Sequence, residues 1–522
     1  MSSAVDRVIV IGAGMGGLAA AMRLAHAGLD VTVIDRHAAP GGKMRTVDSV
    51  AGPVDAGPTV LTMRRVFDAL FDAVGTRLDD HVALDSDPIL ARHWWPDGSR
   101  LDLFADPEAS AAAVRDFAGP QAEAAFRGFS ATAARLFEAF DAPMMRAAAP
   151  RVGRLAAQVL KTPGLIRHMA PHRTLAQTLA GRFEDPRLQQ LFGRYATYVG
   201  GSPFRSPAIL GLIWHAEAQG VWAVKGGMHR LAQAMAQVAE ANGARLVFGA
   251  HAARIEVQDG AVAAVHLADG TRLPAGRVVF NGDPAALASG LLGAPARSAV
   301  PRSAVIPRSL SAYVWSFAAR PQGPELSHHN VFFGANPRRE FDPIEAGHPP
   351  EDPTLYLCAQ DRAAGAEPRG PERFEIIMNG APTGTGAPEE PETCLTRTFE
   401  TLRRFGLSFD PQPRPEALTT PAGFDRLFPA SQGSLYGRSP HGLMAAFKRP
   451  TARTRLPGLY LAGGGAHPGA GVPMATLSGT HAAAAILTDR TSTSRSRRTA
   501  TPGGMSTGSA MTGPVRSRSS AS

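Results

Sequence analysis

The run Val8-Ile9-Val10-Ile11 leads directly into Gly12-Ala13-Gly14-Met15-Gly16-Gly17. A short, uncharged apolar run of this kind reads as a fully buried strand. The glycines then fit G-x-G-x-x-G. Gly12 permits the tight turn, Gly14 lets the backbone approach a diphosphate, and Gly17 lets helix and strand pack closely. Leu18 to Ala27 reads as a helix closed by Gly28, and its N-terminus points free N–H groups at the phosphates. Leu29 to Ile34 reads as a second strand ending at Asp35, 18 residues past Gly17. A carboxylate at that spacing suits a ribose hydroxyl and favours FAD or NAD over NADP. Strand, helix, second strand and acid together predict a doubly wound α/β dinucleotide fold.

A second glycine doublet follows in Pro40-Gly41-Gly42-Lys43-Met44-Arg45-Thr46. Gly42 allows another close backbone approach, and Arg45 offers a bidentate group to phosphate. A nicotinamide dehydrogenase does not need this element; a flavoprotein holding extended FAD does. Regular alternation returns at 225–283. A helix is expected over His229–Ala241, with strands near Arg245–Phe248, Arg254–Gln258, Ala261–Leu267 and Arg277–Phe280. Asp259-Gly260 and Asp269-Gly270 mark hairpin turns. Near the C-terminus, Leu459-Tyr460-Leu461 enters Ala462-Gly463-Gly464-Gly465, and Gly471-Val472-Pro473 opens a helix expected over Met474–Leu487. Pro473 suits a first helical turn.

Composition removes several alternatives. Two cysteines, Cys358 and Cys394, cannot make a disulfide framework or a Cys-based zinc or iron–sulfur site. No metal site is expected, and a reducing compartment is the default. The net charge is +9, but six arginines against Asp489 place five of those charges in 489–522. That tail is otherwise mostly Ser, Thr, Gly and Pro and is expected to stay disordered. No nucleic-acid partner is expected. Leu456–Thr488 has no Asp, Glu, Lys or Arg, yet it contains seven Gly and three Pro. This suits loops around a ligand rather than a membrane span, so no transmembrane helix is expected.

Residues 142–183 contain no acid but seven cations, among them Arg146, Lys161 and Arg167, interleaved with Met144, Leu155, Leu160 and Ile166. An apolar, cationic, acid-free stretch fits the headgroup layer of an anionic membrane as well as a solvated helical pair. Pro150, Pro163 and Pro171 divide it into short pieces. The aromatic sets Tyr195–Trp222, including Trp214, and Trp315–Phe341 read as core or as tunnel wall. Arg194, Tyr195, Trp214, Lys225 and His329 are candidate substrate contacts. Pro368–Pro391 reads as a surface loop. No Ser-His-Asp arrangement, zinc-spaced set or paired-carboxylate motif is present, so catalytic residues stay unassigned.

G-x-G-x-x-G, the acid, and Gly41-Gly42-x-x-Arg45 together resemble the FAD-binding superfamily of amine oxidases, guanine-nucleotide dissociation inhibitors and carotenoid desaturases. Ala466-His467-Pro468-Gly469-Ala470-Gly471-Val472-Pro473, Asp55-Ala56-Gly57-Pro58-Thr59, Ser327-His328-His329-Asn330 and Phe447-Lys448-Arg449-Pro450 resemble bacterial carotenoid desaturases of the phytoene desaturase type. Leu435-Tyr436-Gly437-Arg438 and Val472-Pro473-Met474-Ala475 are similar to the hydroxyneurosporene (methoxyneurosporene) desaturases of purple photosynthetic bacteria. The resemblance spans roughly 5–488. It implies an FAD-binding domain with an inserted α+β substrate domain carrying an apolar, membrane-facing helical segment. The FAD segments would be 1–75, 221–290 and 446–488, and the substrate segments 76–220 and 291–445. Gly12, Gly14, Gly16, Gly17, Asp35, Gly42, Arg45, Gly57, Pro58, Thr59, Gly464, Gly471, Val472 and Pro473 would hold FAD, and the backbone of Ala253 would meet the adenine. The implied activity is 3,4-desaturation of a 1-hydroxycarotenoid by hydride transfer to flavin, in spheroidene- or spirilloxanthin-type biosynthesis. Phytoene desaturation, carotene isomerisation and a non-catalytic lipid carrier are the alternatives. The implied partners are a long apolar polyene, an anionic membrane surface on the cytoplasmic side and an electron acceptor, quinone or oxygen. Gly464-Gly465 stands where amine oxidases carry Gly-Glu, which argues against amine oxidation.

Overall fold

The computed structural model describes residues 7–498 except 163, 385, 387 and 388. The expected disorder of the tail therefore lies, from residue 499 on, outside the described residues. Its first residues are helical instead. The C-terminal helix spans Val472–Arg498, well past the expected end at Leu487. The alanine-rich run 482–485 carries no breaker, and Asp489 is fixed by Arg453 at 2.8 Å and by the Tyr460 hydroxyl at 2.8 Å.

Five parallel strands form the first sheet, in the order Leu459–Leu461, Arg277–Phe280, Arg7–Ile11, Asp30–Ile34, Arg245–Val247. They come from three separated stretches of chain. Helix Met15–His26 connects Arg7–Ile11 to Asp30–Ile34, and helices His229–Ala241 and Val472–Arg498 pack on it. This contact is close. A Cβ on Gly479 would lie 2.0 Å from Gly16 O, and one on Gly17 would lie 2.0 Å from Gly12 O. The expected hairpins at 252–274 form a separate three-stranded antiparallel sheet.

The second large sheet has eight strands and is mixed. At its centre, Ser311–Gln322, Glu372–Gly380, Leu355–Ala359 and His329–Phe332 pair antiparallel. Strand Ile89–Trp94 then joins His329–Phe332 in parallel. Here Pro368–Pro391 departs from its expectation as a surface loop, because Glu372–Gly380 is an inner strand. Its charged residues Glu372, Arg373 and Glu375 masked the alternation in Phe374, Ile376 and Met378, which are all buried. Most of both aromatic sets is core, while Phe204, Phe333 and Phe341 line a cavity. Tyr195 and Trp214 pack with Phe126, Phe129, Phe183 and Phe192, and Trp315 packs with Phe317, Phe374 and Phe399. Among the described residues, no helix is long and apolar enough to cross a membrane.

Candidate cofactor and substrate site

The carboxyl ends of the parallel strands meet three glycine turns. At the first, Gly12 has φ +103° and its N–H donates to Ile34 O at 2.8 Å. Asp35 stands beside this turn. Its Oδ2 accepts from Ala13 N–H at 2.7 Å and its Oδ1 from His37 N–H at 2.8 Å. A carboxylate keeps further acceptor capacity after two such bonds. The helix that starts at Met15 has no side-chain cap and no acid in its first turn, so its N–H groups remain open to an anion.

Gly41 N–H donates to Ala13 O at 2.8 Å, which lays the second turn against the first. Gly42 has φ +61°, and its Cβ would come within 3.2 Å of Gly14. Gly57 has no room for a side chain, because a Cβ would overlap Lys43 O at 1.9 Å. Pro58 and Thr59 follow it toward the second sheet. Arg45 is anchored on the second half of the chain. Its Nη2 donates to Thr419 Oγ1 at 2.7 Å, and its buried Nε has no partner. Ala253 is exposed at a bulge between Ala252 and Arg254. Just before it, Ala250 N–H donates to Asp35 O at 2.8 Å.

The third turn is Gly463–Gly471. A Cβ on Gly16 would lie 2.5 Å from Gly463 N, so Gly16 lets the first and third turns approach closely. Gly471 has φ +100°, and Val472 and Pro473 then open a helix with no acid in its first turn. Arg449 ties the turn down. It donates to Gly464 O at 2.9 Å, Tyr436 O at 2.8 Å and Arg438 O at 2.8 Å. A Cβ on Gly465 would meet Pro284 Cδ at 2.4 Å, which leaves no space for the glutamate that amine oxidases carry there.

Sequence reasoning passed over several residues here. Asn281 Nδ2 donates to Gly12 O at 3.1 Å, while its buried Oδ1 has no partner. Its signal is the turn sequence Asn281-Gly282-Asp283-Pro284 directly after the core strand Arg277–Phe280. Asp283 pairs with Arg308 at 2.5 Å. Burial, with Arg308 and Arg449 nearby, lowers Lys43 to about 8, although Asp283 opposes this. Burial likewise lowers Arg449 to about 10. Three cations around one carboxylate suit an anionic ligand at this end of the sheet.

Facing these turns, the second sheet carries a buried polar cluster. Thr59 Oγ1 meets the Tyr356 hydroxyl at 2.8 Å, which meets His329 Nδ1 at 2.8 Å. His328 Nδ1 meets Asp87 Oδ2 at 2.7 Å. Burial disfavours charge on His328, yet Cys358 and Asp87 outweigh it and raise the imidazole to about 10. Burial and the His328 charge push His329 well below the ordinary range, so it is neutral. His328, His329 and Cys358 offer ligand atoms within 4.8 Å of one another. The two rings stack with centroids 4.0 Å apart, Asp87 occupies His328 Nδ1 and the Tyr356 hydroxyl meets His329 Nδ1.

The candidate substrate contacts separate. Arg194 lines a cavity of about 730 Å³ together with Trp95, Phe204, Phe333 and Phe341. Tyr195 and Trp214 are core residues instead, because Tyr195 donates to Glu217 at 2.7 Å and Trp214 Nε1 to Ser130 at 2.9 Å. Lys225 lies at the surface beside Asp85, 3.4 Å away.

A family model described as flavin containing amine oxidoreductase matches residues 15–487. The chain belongs to that family, and its three glycine turns, Asp35 and uncapped helix start fit FAD as the cofactor. The chain is 60% identical over 495 residues to a hydroxyneurosporene desaturase from Cereibacter sphaeroides, covering 95% of this chain and 100% of that one. A hydroxyneurosporene desaturase from Rhodobacter capsulatus is 55% identical, with 94% and 99% covered. These relatives place the chain in the carotenoid desaturase branch. Putrescine oxidase shares the fold at a TM-score of 0.59 and 16% identity, with 92% of this chain and 99% of that one covered. So does a fatty acid isomerase from P. acnes, at 0.55 and 14%, with 94% and 99% covered.

Proposed function

We propose that the chain desaturates a hydroxylated acyclic carotenoid at C3–C4, the reading set out from its sequence. The observation that carries it is the end-to-end 60% identity with a hydroxyneurosporene desaturase. FAD, when bound, supplies the hydride acceptor. The chain's own residues do the rest. Glycine turns 12–17, 41–42 and 463–471, with Asp35, hold the cofactor. The eight-stranded sheet and the aromatic side chains that line its cavity hold the polyene and exclude water, so that the reacting C–H meets the cofactor in one orientation. A strong base is not required, because a delocalised polyenyl cation loses its neighbouring proton readily.

Two finer points belong to the same reading. The protein docks on an anionic membrane surface, on the cytoplasmic side, to collect an insoluble substrate. Leu160, Ile166 and Val152 are 77%, 49% and 55% exposed, on short helices that also expose Arg151, Lys161 and Arg167. Leu443, Met444 and Lys448 are exposed on the segment whose Phe447 packs against the same cluster. The reoxidant is a quinone or oxygen. The test is anaerobic single turnover of FAD-loaded protein in anionic liposomes, with 1-hydroxyneurosporene and phytoene supplied separately. Flavin bleaching and a red-shifted polyene with the hydroxylated substrate alone are expected. Turnover of phytoene alone would move the chain to an earlier desaturation, and bleaching with neither would sink the redox reading.

A further inference from the structure

One register line crosses four central strands of the eight-stranded sheet. Ser316 pairs with Glu375, Glu375 with Cys358, and Cys358 with His329. Residues paired across neighbouring strands project from the same face. All four are buried, at 6%, 0%, 1% and 1% exposure. A row of four polar side chains across the middle of a sheet is costly unless their polar atoms find partners. Here they do not. Ser316 Oγ, both Glu375 carboxyl oxygens and His329 Nε2 have no hydrogen-bond partner. Buried polar groups left open in this way require an explanation, and a ligand group is one.

The location narrows the ligand. Val54–Asp55 lies over this face, and Thr59 reaches it through Tyr356. Both belong to the chain leaving the second glycine turn, so the row faces the cofactor side. The electrostatics narrow it further. Burial, with Cys358 and Asp55 nearby, pushes the Glu375 carboxyl well above the ordinary carboxylate range, against the opposing pull of Arg45 and of the Thr59 hydroxyl. His329 is neutral. The row therefore presents both donors and acceptors with no net charge along it. The charges that flank the row come in both signs, Asp55 and Asp87 against Arg45 and His328, so neither an ammonium nor a carboxylate ligand is favoured along it. A neutral hydroxyl, which donates once and accepts twice, matches.

We propose that Glu375 and His329, with Ser316 flanking Glu375 on the next strand, form the end-group subsite that hydrogen-bonds the hydroxyl of the carotenoid and seats its terminus beside the cofactor. This rests on the desaturase reading above. In that reading the hydroxyl carbon lies two bonds from C3, so the hydroxyl must bind close to the reacting carbons. The subsite sets both the choice of substrate and the bond that is oxidised.

The test compares a 1-hydroxy carotenoid with the hydrocarbon lacking the hydroxyl, on wild type, Glu375→Leu, Glu375→Gln, His329→Leu and Ser316→Ala. Two quantities are read: kcat/KM for each substrate, and equilibrium binding from the polyene absorption shift in protein already reduced. Wild type is expected to favour the hydroxylated substrate by at least about tenfold, since a site built to hydrogen-bond a hydroxyl discriminates strongly against its absence. Glu375→Leu and His329→Leu should bring that ratio to about one in both measurements, the loss falling on the hydroxylated substrate. Glu375→Gln should retain most of it. A ratio that stays at the wild-type value in both leucine variants overturns the subsite. Equal losses on both substrates also overturn it, because that is what structural damage produces. If the leucine variants bind little flavin, Ser316→Ala decides on the same ratio. A wild type that oxidises neither polyene sinks the desaturase reading instead, and binding to reduced protein then judges the subsite alone.

Discussion

Single glycines decide the cofactor site because their neighbours leave no space for a methyl group. Gly17→Ala would press a Cβ against Gly12 O at 2.0 Å. Overpacking of this kind costs about 1–3 kcal/mol, and the helix must shift away from the turn to relieve it. The expected outcome is a lower melting temperature and flavin content well below one per chain, read from the 450 nm to 280 nm absorbance ratio. Gly28→Ala serves as the control, because nothing lies within 4 Å of that position, although its φ of +77° adds some strain of its own. Glu340 makes a pH prediction at the same scale. Burial raises its carboxyl to about 7 despite hydrogen bonds from Thr354 and Asn379. A raised acid binds its proton more tightly in the folded chain. Stability is therefore full below the ordinary carboxyl range and falls as pH rises through about 7, with a slope of about 1.4 kcal/mol per pH unit in between. Denaturant titrations at pH 5 and pH 8 should show that fall in wild type and a flatter profile in Glu340→Gln.

Between elements, the strongest dependence is on Arg449. One guanidinium holds three backbone carbonyls from two stretches of chain, 436–438 and 464. Arg449→Met keeps much of the volume but leaves those carbonyls buried and unpaired. At about 1–3 kcal/mol for each unmade bond, the loss should reach several kcal/mol. The third glycine turn should loosen before the second sheet does. Hydrogen exchange is expected to speed at Gly463–Gly471 and stay slow in Glu372–Gly380, alongside weaker FAD binding. Uniform exchange across both regions would show that Arg449 supports the whole fold rather than this turn.

The molecule as a whole presents one exposed apolar, cationic fringe, on Val152–Met169 and 443–448. Burying a leucine-sized side chain in an apolar phase is worth about 1.5–3 kcal/mol. Leu160→Glu combined with Ile166→Glu should therefore weaken partition into anionic vesicles by at least about tenfold, measured by flotation. Turnover of a water-dispersed short polyene should be retained, because neither side chain belongs to the glycine turns or the polar row. Vesicle binding equal to wild type would place the docking surface elsewhere.

Local patterns were enough to establish the dinucleotide half. A glycine turn, an acid at the end of the next strand and hairpin dipeptides act over a few residues. Helix His229–Ala241 and strands Ala261–Leu267 and Arg277–Phe280 accordingly fall where their sequences predict. The resemblance in wording gave the family for the same reason, since motifs are contiguous. The substrate half depended on pairing between distant strands. Glu375 sits in a stretch that reads as loop, and Cys358 is 29 residues from His329. Only the register of strands 311–322, 329–332, 355–359 and 372–380 brings Ser316, Glu375, Cys358 and His329 into one line. Burial is likewise a tertiary property. It placed Tyr195 and Trp214 in the core, took Arg45 to Thr419 and left His329 neutral, none of which a side chain's identity fixes by itself. The sequence alone determined which cofactor the chain is built around, because backbone turns are encoded by neighbouring residues. Only the tertiary structure decided which polar groups face the substrate, because that depends on which strands pair and which atoms are left without water.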